Sequence, residues 1–311
     1  MALAKAEKTR RAIIRRGFSW LSAKEKGVKG FTLLCAIVSV LTTVGIVVVL
    51  FTEAATFFQE VSVFDFLTGT EWSPAATNPQ YGIWALLSGT LLVTIGSAMI
   101  SVPLGLLSAV YLSEYAPQRI RKVVKPALEI LAGIPTVVYG YFALFFVTPL
   151  LQVGFEDINT FNAAAGAIVV GIMTLPMVSS LCEDALSAVP RALREGAYGL
   201  GATKFEVTSK IVIPAALSGV VASFILALSR AIGETMAVTL AAGASPNFTF
   251  NPAESVQTMT AYIVTTSSGD VARGTIRYQT IFAVGLTLFL LTLAMNLIAQ
   301  RLVKRFRTAY S

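Results

Sequence analysis

Two charged residues, Arg230 and Glu234, lie four positions apart in an apolar stretch that runs from Pro214 to about Ala242. The stretch is long enough to cross a bilayer, whose hydrocarbon core requires roughly 20 helical residues. A charge at the centre of such a helix costs ~2.5–3.5 kcal/mol, so both side chains should face the protein interior or a watery path. Spaced four apart on one helix, they share a face and can pair. We interpret this face as part of an anion route, with a static ion pair as the alternative.

The amino-acid composition is typical of a membrane protein, since 55% of the 311 residues are hydrophobic and only 13% are charged. Several apolar runs of about 20 residues are continuous rather than alternating, which favours helical spans over a barrel. The net charge of +7 would suit nucleic acid, but the basic residues cluster at the ends of apolar runs as topology signals. With no histidine and only two cysteines, we expect no metal site and no disulfide. The predicted fold class is an all-α polytopic membrane protein that binds no nucleic acid.

The charge pattern of the loops predicts six transmembrane helices with both termini in the cytoplasm. Residues 1–29 form a basic cytoplasmic tail, with a surface helix at residues 8–20 as the alternative, and residues 30–311 form the transmembrane domain. The loop 52–83 carries acids but no lysine or arginine, so it should lie outside. We expect little regular structure there, with aromatic residues that belong to an interface belt or a docking surface. The six predicted spans are residues 31–51, 84–112, 126–151, 163–181, 214–242 and 281–300.

Prolines interrupt three of these spans. Pro103 and Pro176 are expected to kink the second and fourth spans, because proline removes a backbone N–H and clashes with the preceding turn. In the third span, Gly133 and Pro135 form a Gly-x-Pro break, which membranes tolerate only where protein or a cavity covers the backbone. The sequence is equally consistent with two interpretations of this break, a kink for helix packing and a part of the lining of the path.

The loop between the fifth and sixth spans contains a helix-start pattern. Asn251 can cap a first turn, Pro252 suits the first helical position, and Glu254 can bond back to the cap. We therefore predict a short outer helix over residues 252–266.

The inner loop at residues 190–210 has more structural signals than a plain connection needs. Pro190 can open a helix, and Gly199 or Gly201 can close it. A capping box at Thr203 and Glu206 then starts a second helix. The loop also places apolar groups on a charged segment, which indicates that a partner covers them. These apolar residues are Ala197, Tyr198, Leu200 and Phe205.

The glycines of this loop do not form a nucleotide site. A P-loop requires Gly-x4-Gly-Lys-Ser/Thr, and Gly196 and Gly201 have only the first spacing. Ala202 occupies the position of the lysine that would reach the phosphates. We expect that the chain does not hydrolyse ATP and that its structured inner loop serves a separate ATPase.

The same loop resembles the signature of the inner-membrane permease subunits of bacterial ABC importers. That signature reads EAA, three residues, Gly, nine residues and Ile-x-Leu-Pro, and Gly196 and Ile213 are the two departures from it here. The resemblance implies a type I ABC importer permease fold, in which residues 191–206 form coupling helices that dock on an ATPase subunit. The residues it assigns to ATPase coupling are Glu195, Gly196, Ala197, Gly201, Phe205 and Pro214.

Within that class, the chain is similar to the phosphate-specific permeases of PstC type. The similarity is carried mainly by the stretches Tyr111–Pro117, Gly133–Gly140 and Arg230–Val238. It implies a place in the bacterial inner membrane beside a second permease subunit of PstA type. It also implies two copies of an ABC ATPase that uses ATP and Mg²⁺, and an external phosphate-binding protein that delivers the substrate.

The resemblance thus implies the permease subunit of an ATP-driven phosphate importer, with no catalytic residue and no cofactor in this chain. Our hypothesis is that Glu234 holds Arg230 until phosphate competes for the guanidinium, whose planar fork suits phosphate oxygens. An ABC permease for sulfate, molybdate or phosphonate is the alternative. A secondary anion transporter that works without ATP is a further alternative, as is a membrane scaffold or sensor.

Overall fold

The computed structural model describes residues 2–155, 157–269 and 271–307, and the side chains of those that lie between residues 24 and 304. A hairpin of two short antiparallel strands, β1 (Trp72–Ser73) and β2 (Gln80–Tyr81), is the only sheet in this described part. The helices are α1 (Ala2–Glu60), α2 (Val63–Thr68), α3 (Trp84–Val110), α4 (Gln118–Ala132), α5 (Thr136–Phe142), α6 (Thr148–Gly154), α7 (Ala163–Ser187), α8 (Arg191–Gly199), α9 (Lys204–Val207), α10 (Ile213–Ala215), α11 (Leu217–Ile232), α12 (Met236–Ala242), α13 (Met259–Ser267) and α14 (Ile276–Arg307). Short π-helical turns follow α3, α5 and α9 at Tyr111–Tyr115, Ala143–Val147 and Thr208–Val212.

Five described helical segments are long and apolar enough to cross a membrane, and a sixth is added if one bent pair of helices counts as a single span. The predicted class, an all-α polytopic membrane protein, is therefore confirmed. The backbone stays helical through Pro103 and Pro176, which lie inside α3 and α7. The predicted spans 31–51, 84–112, 163–181 and 281–300 lie within α1, within α3 and its π-helical extension, within α7 and within α14.

The chain forms two compact units, residues 1–53 and residues 54–311. The first unit is helical, and its large apolar side chains between Phe31 and Phe51 are exposed, as expected for a helix that faces lipid. The side chains of the predicted basic tail up to residue 23, including the surface-helix alternative, lie outside the described part.

The predicted third span, residues 126–151, is wrong at its start. The amphipathic helix α4 ends before the segment Gly133–Pro135, and the apolar span is Thr136–Gly154. The proline of this segment lacks a backbone N–H and disfavours helical geometry in the residue before it, so a helix ends there. The hydroxyl of Tyr139 donates to the Leu131 carbonyl at 2.7 Å and so adds a partner for a carbonyl in the last turn of α4.

The predicted fifth span, residues 214–242, is wrong as a single helix. The helical segment Lys204–Ala215 meets α11 at a bend of 70°. A second interruption, Gly233–Thr235, separates α11 from α12. Pro214 lacks a backbone N–H close to the bend. The apolar composition predicted the span, but it did not reveal the two breaks.

The loop 52–83 is folded, contrary to the prediction of little regular structure. It contains α2 and the β-hairpin, and most of its aromatic residues form a buried cluster, whereas Phe64 is 72% exposed. Trp72 packs edge to face on Tyr262 of α13, with ring centroids 5.0 Å apart. Phe57 and Phe66 are fully buried in the same cluster. The cluster therefore gives this side of the bundle a hydrophobic core of its own.

The short helix predicted at residues 252–266 begins seven residues later, as α13. Its cap is Thr258, whose hydroxyl accepts the N–H of Ala261 at 3.2 Å. Asn251 instead accepts the N–H of Ala253 at 3.1 Å in a local turn. Asparagine commonly makes this turn two residues ahead, and here it competes successfully with helix capping.

Helices α3 and α7 pack so closely that glycines in their interface have no room for a side chain. A methyl group at Gly96 would lie 2.7 Å from Cβ of Ala167. A methyl group at Gly105 would lie 2.6 Å from Cγ1 of Val178. Small residues allow such close approach in membranes, where lipid provides no hydrophobic drive for helix association.

We predict that Gly105→Ala destabilises the protein by ~1–3 kcal/mol, because the added methyl group overpacks a rigid contact. The measurement is the thermal unfolding midpoint in detergent. The matched control is Gly154→Ala at the end of α6, where an added methyl group has no neighbour within 4 Å. Equal unfolding midpoints for the two variants would contradict the close α3–α7 contact.

Candidate anion pathway and coupling loop

The two charged residues singled out in the sequence do not share a helix face. Arg230 lies in the last turn of α11, whereas Glu234 lies in the interruption before α12. Among the described residues, no ion pair joins them. The predicted pair depended on a continuous helix, and the helix ends between the two residues.

Glu234 is built into the interruption instead. It is 8% exposed, and its carboxylate accepts the N–H of Ala237 in the first turn of α12 at 3.4 Å. Its backbone carbonyl accepts the hydroxyl of Thr260 from α13 at 2.7 Å. Its backbone N–H donates to the carbonyl of Ala231 at 3.2 Å. These bonds satisfy polar groups that the helix break would otherwise leave unpaired at membrane depth.

A cavity of about 510 Å³ lies between α4, α7 and the end of α11. Arg230 lines this cavity, and its guanidinium has no hydrogen-bond or ion-pair partner in the described part of the chain. Apolar residues of α7, including Met173 and Pro176, form much of the wall. The charged lining residues are Lys125, Glu129, Glu183, Asp184 and Arg230.

The register of α7 and α11 shows how the charges are spread along the cavity. Cys182 contacts Ser223, with Sγ and Oγ 2.7 Å apart, and Gly219 faces Ala185 one turn further on. Because the two helices run in opposite directions, this register carries Arg230 to the level of Leu175. The acids at the other end of the cavity lie eight residues along α7, or roughly 12 Å away.

Glu183 is a charged residue that sequence reasoning missed. Its side chain is 3% exposed, and it forms an ion pair with Lys125 of α4. The Nε atom of Arg121 lies 3.9 Å from the other carboxylate oxygen. Arg121 is itself fixed, because it donates to the Ser113 carbonyl at 2.9 Å and to the Leu112 carbonyl. The charges of α4 and α7 therefore meet at the end of the cavity that lies nearest the inner loop, here called the loop end.

A second arginine fastens the inner loop to the bundle. Arg194 of α8 forms an ion pair with Glu114 at 2.9 Å, and both side chains are largely buried. Its guanidinium also donates to the carbonyls of Val189 at 2.6 Å and Leu186 at 2.8 Å. It thus binds carbonyls at the C-terminal end of α7, where a cation also complements the helix dipole.

The inner loop has the elements that its sequence predicted. α8 begins directly after Pro190, and Gly201 has a positive φ of 85°, which suits glycine. The capping box is formed, since Thr203 accepts the N–H of Glu206 at 3.3 Å and the Glu206 carboxylate accepts the N–H of Thr203 at 3.0 Å. The helix, glycine turn and second helix are confirmed.

The apolar surface of this loop is only partly as predicted. Leu200 is 91% exposed and Phe205 is 72% exposed, so both are free to meet a partner. Ala197 is buried against the bundle instead. Of the other residues assigned to ATPase coupling, Glu195, Gly196 and Gly201 are exposed, and Pro214 is partly buried.

Glu183 and Lys125 escaped notice for physical reasons. The apolar run predicted that the fourth span ends at residue 181, which left Glu183 in a loop, whereas α7 continues to Ser187. Lys125 was interpreted as a topology signal, because basic residues near span ends usually have that role. The one available signal was the amphipathic pattern of residues 118–132, which indicates a surface helix with a separate charged face rather than part of a membrane span.

The chain matches a known family over two thirds of its length. The family is described as binding-protein-dependent transport system inner membrane component, and the match covers residues 101–308. This range includes the whole cavity and the inner loop.

Curated relatives match most of the chain. A probable ABC transporter permease protein, YqgH of Bacillus subtilis, is 33% identical over 87% of this chain and 88% of the relative. The phosphate transport system permease protein PstC of Mesorhizobium japonicum is 34% identical over 78% and 79%. The protein of the same name from Pasteurella multocida is 34% identical over 78% and 80%.

Solved ABC transporters share the fold. A bacterial alginate ABC transporter in complex with its alginate-bound periplasmic protein has a TM-score of 0.61 at 19% identity, over 90% of this chain and 96% of that one. The inward-facing MetNI methionine ABC transporter has a TM-score of 0.54 at 19% identity, over 72% and 94%. The predicted permease fold is confirmed. The chain is a multi-pass inner-membrane protein that belongs to the family of binding-protein-dependent transport system inner membrane components, and within it to the PstC-type permeases.

Proposed function

We propose that this chain is the transmembrane permease subunit of an ATP-driven importer of inorganic phosphate, in which it forms half of the translocation path. The observation that carries this proposal is the guanidinium of Arg230, which is exposed in the cavity and has no hydrogen-bond or ion-pair partner among the described residues. The relatives that are called phosphate transport system permeases support phosphate as the cargo.

Arg230 is suited to hold an oxyanion at this position. Its planar group offers several N–H donors in a fixed fork that matches phosphate oxygens. The carboxylate of Glu234 accepts a hydrogen bond from α12 and does not bind Arg230. An anion therefore reaches Arg230 without displacing Glu234. We assign Glu234 to the pathway as the residue that shapes the interruption beside the cation.

The inner loop is the proposed docking site for the ATPase. The exposed side chains of Leu200 and Phe205 would enter a groove on that subunit, and Glu195, Gly196 and Gly201 would lie at its edge. Ala197 would act from the bundle side, where it joins α8 to the core, and the partly buried Pro214 would act at the start of α10. Motion of the ATPases would reach the cavity through α8.

The rest of the machinery is proposed from the relatives and the general organisation of ABC importers. It comprises a second permease subunit of PstA type, two copies of an ABC ATPase and an external phosphate-binding protein, assembled in the lipid bilayer. ATP and Mg²⁺ would be used by the ATPase, and this chain would have no cofactor and no nucleotide site of its own.

In vesicles that contain the whole complex, Arg230→Gln should reduce uptake of radiolabelled phosphate by about ten- to a hundredfold, since a charge-assisted hydrogen bond contributes ~1.5–3 kcal/mol. Arg230→Lys should recover only part of the uptake, because lysine lacks the fork. ATP hydrolysis is measured in the same samples and should persist.

Arg119→Gln is the matched control, since Arg119 is exposed and does not line the cavity. Near-normal uptake with Arg230→Gln would place the path elsewhere. If the unmodified complex accumulates sulfate in preference to phosphate, the assignment as an ABC permease stands and the transported anion is sulfate.

The ion pair between Arg194 of α8 and Glu114 can be tested in the same vesicles. Arg194→Ala and Glu114→Gln should each lower the phosphate taken up per ATP hydrolysed, because a loosened α8 transmits less of the ATPase motion. The double variant should lower the free energy of unfolding by less than the sum of the two single variants. We expect a coupling energy of about 0.5–3 kcal/mol in thermal unfolding, since the residues form one contact. Lys122→Gln on the exposed face of α4 is the control. Strictly additive effects would show that the pair does not act as a unit.

A further inference from the structure

We propose that the loop end of the cavity is a second oxyanion subsite, formed by Lys125 and Ser179, in which the carboxylate of Glu183 is a resident anion that the transported oxyanion displaces. This inference rests on the proposed function, because it assumes that an anion crosses the cavity. It adds a station that begins four residues from the level of Arg230 along α7, at Ser179, and ends eight residues away at Glu183, or roughly 6–12 Å along the helix.

The hydroxyl of Ser179 is the first observation. Ser179 belongs to the residues that line the cavity, and its hydroxyl is fully buried and has no hydrogen-bond partner among the described residues. Native proteins rarely leave a buried hydroxyl unpaired, and an exception calls for an explanation such as an absent ligand. Ser179 and Glu183 are four residues apart on α7, so they share one face of the helix.

The arrangement of Glu183 is the second observation. Beyond the ammonium group of Lys125, its Oε2 atom has no hydrogen-bond partner in the described chain. Its Oε1 atom lies 3.9 Å from Nε of Arg121, and that guanidinium is already committed to two carbonyls. A buried carboxylate ordinarily gains several hydrogen bonds. This one is held mainly by one cation, and an oxyanion with more acceptor oxygens can compete for that cation.

The other charges of the cavity suit a release station. Glu129 and Asp184 are both exposed in its wall, and they repel an anion that has moved to Lys125. Arg230 is exposed in the cavity and has no carboxylate partner among the described residues, so it favours capture. The order of charges therefore favours binding at Arg230 and release towards the inner loop.

The rival explanation is a static lock, in which Lys125 and Glu183 only hold α4 against α7. The two explanations predict different signs for single substitutions. If Glu183 is a resident anion, Glu183→Gln frees Lys125, and the complex retains an oxyanion more tightly. In the same case Lys125→Gln weakens retention. A lock predicts that both variants shift retention in the same direction, because both break one contact.

The test measures retention of radiolabelled phosphate and, in parallel, of sulfate by the assembled complex in detergent. We expect roughly tenfold tighter retention with Glu183→Gln and roughly tenfold weaker retention with Lys125→Gln. Ser179→Ala leaves the ion pair in place and should weaken retention severalfold. Shifts of one sign for both charge variants, or unchanged retention with Ser179→Ala if the charge variants fail to assemble, would overturn the subsite.

Uptake by the unmodified complex separates this inference from the proposed function. If the complex does not accumulate phosphate, the proposed cargo is wrong. Opposite shifts of the two charge variants with sulfate would still support the subsite in that case. If the complex accumulates phosphate and the two variants shift alike for both anions, the proposed function stands and the subsite is wrong.

Discussion

The close contact between α3 and α7 is the constraint on which the rest of the bundle depends. At Gly96 and Gly105 the two helices leave no space for even a methyl group. In lipid, such contact takes the place of the hydrophobic drive that assembles soluble helices. It fixes α7 along most of its length, and α7 supplies the cavity wall, including Ser179 and Glu183.

The interruption between α11 and α12 shows how irregular backbone is accommodated at membrane depth. Unpaired backbone groups there are costly, and they are tolerated only where protein or a cavity covers them. The Thr260 hydroxyl and the Glu234 carboxylate supply partners on one side. On the other side the last turn of α11 opens to the cavity and presents Arg230 there. The break thus separates two opposite charges that a continuous helix would have paired.

Local sequence signals predicted the inner loop well and the membrane core less well. The capping box at Thr203 and the glycine turn at Gly201 depend on neighbouring residues alone, so their geometry follows from the sequence. Hydropathy identified the apolar stretches, but it averages over many residues and is insensitive to a break of three. It therefore merged α4 with the third span and α11 with α12. The same averaging placed the end of the fourth span before Glu183 and left out the one buried carboxylate that faces the cavity.

The predictions for the loop 52–83 and for the short helix at residues 252–266 were wrong for a different reason. Trp72 and Phe57 were assigned to the interface from their type and place in the chain, but their burial depends on Tyr262, which lies far away in sequence. Asn251 shows the same limit on a smaller scale, since a local turn and a helix cap compete for one side chain and tertiary context decides between them. Contacts between distant segments cannot be obtained from periodicity or capping patterns.

The inner loop and the charged residues at one end of the cavity both contact α7, so a movement of one can affect the other. Arg194 of the inner loop binds the C-terminal carbonyls of this helix, and Glu183 lies on the turn just before them. Glu114, the acid that pairs with Arg194, adjoins the Ser113 carbonyl that positions Arg121 beside Glu183. A displacement of α8 therefore acts on the carbonyls that hold Arg194 and, through the segment Leu112–Glu114, on Arg121, which lies beside Glu183. Because the ion pair between Arg194 and Glu114 is largely shielded from water, we expect a movement of α8 to reach this segment and the charges beside it.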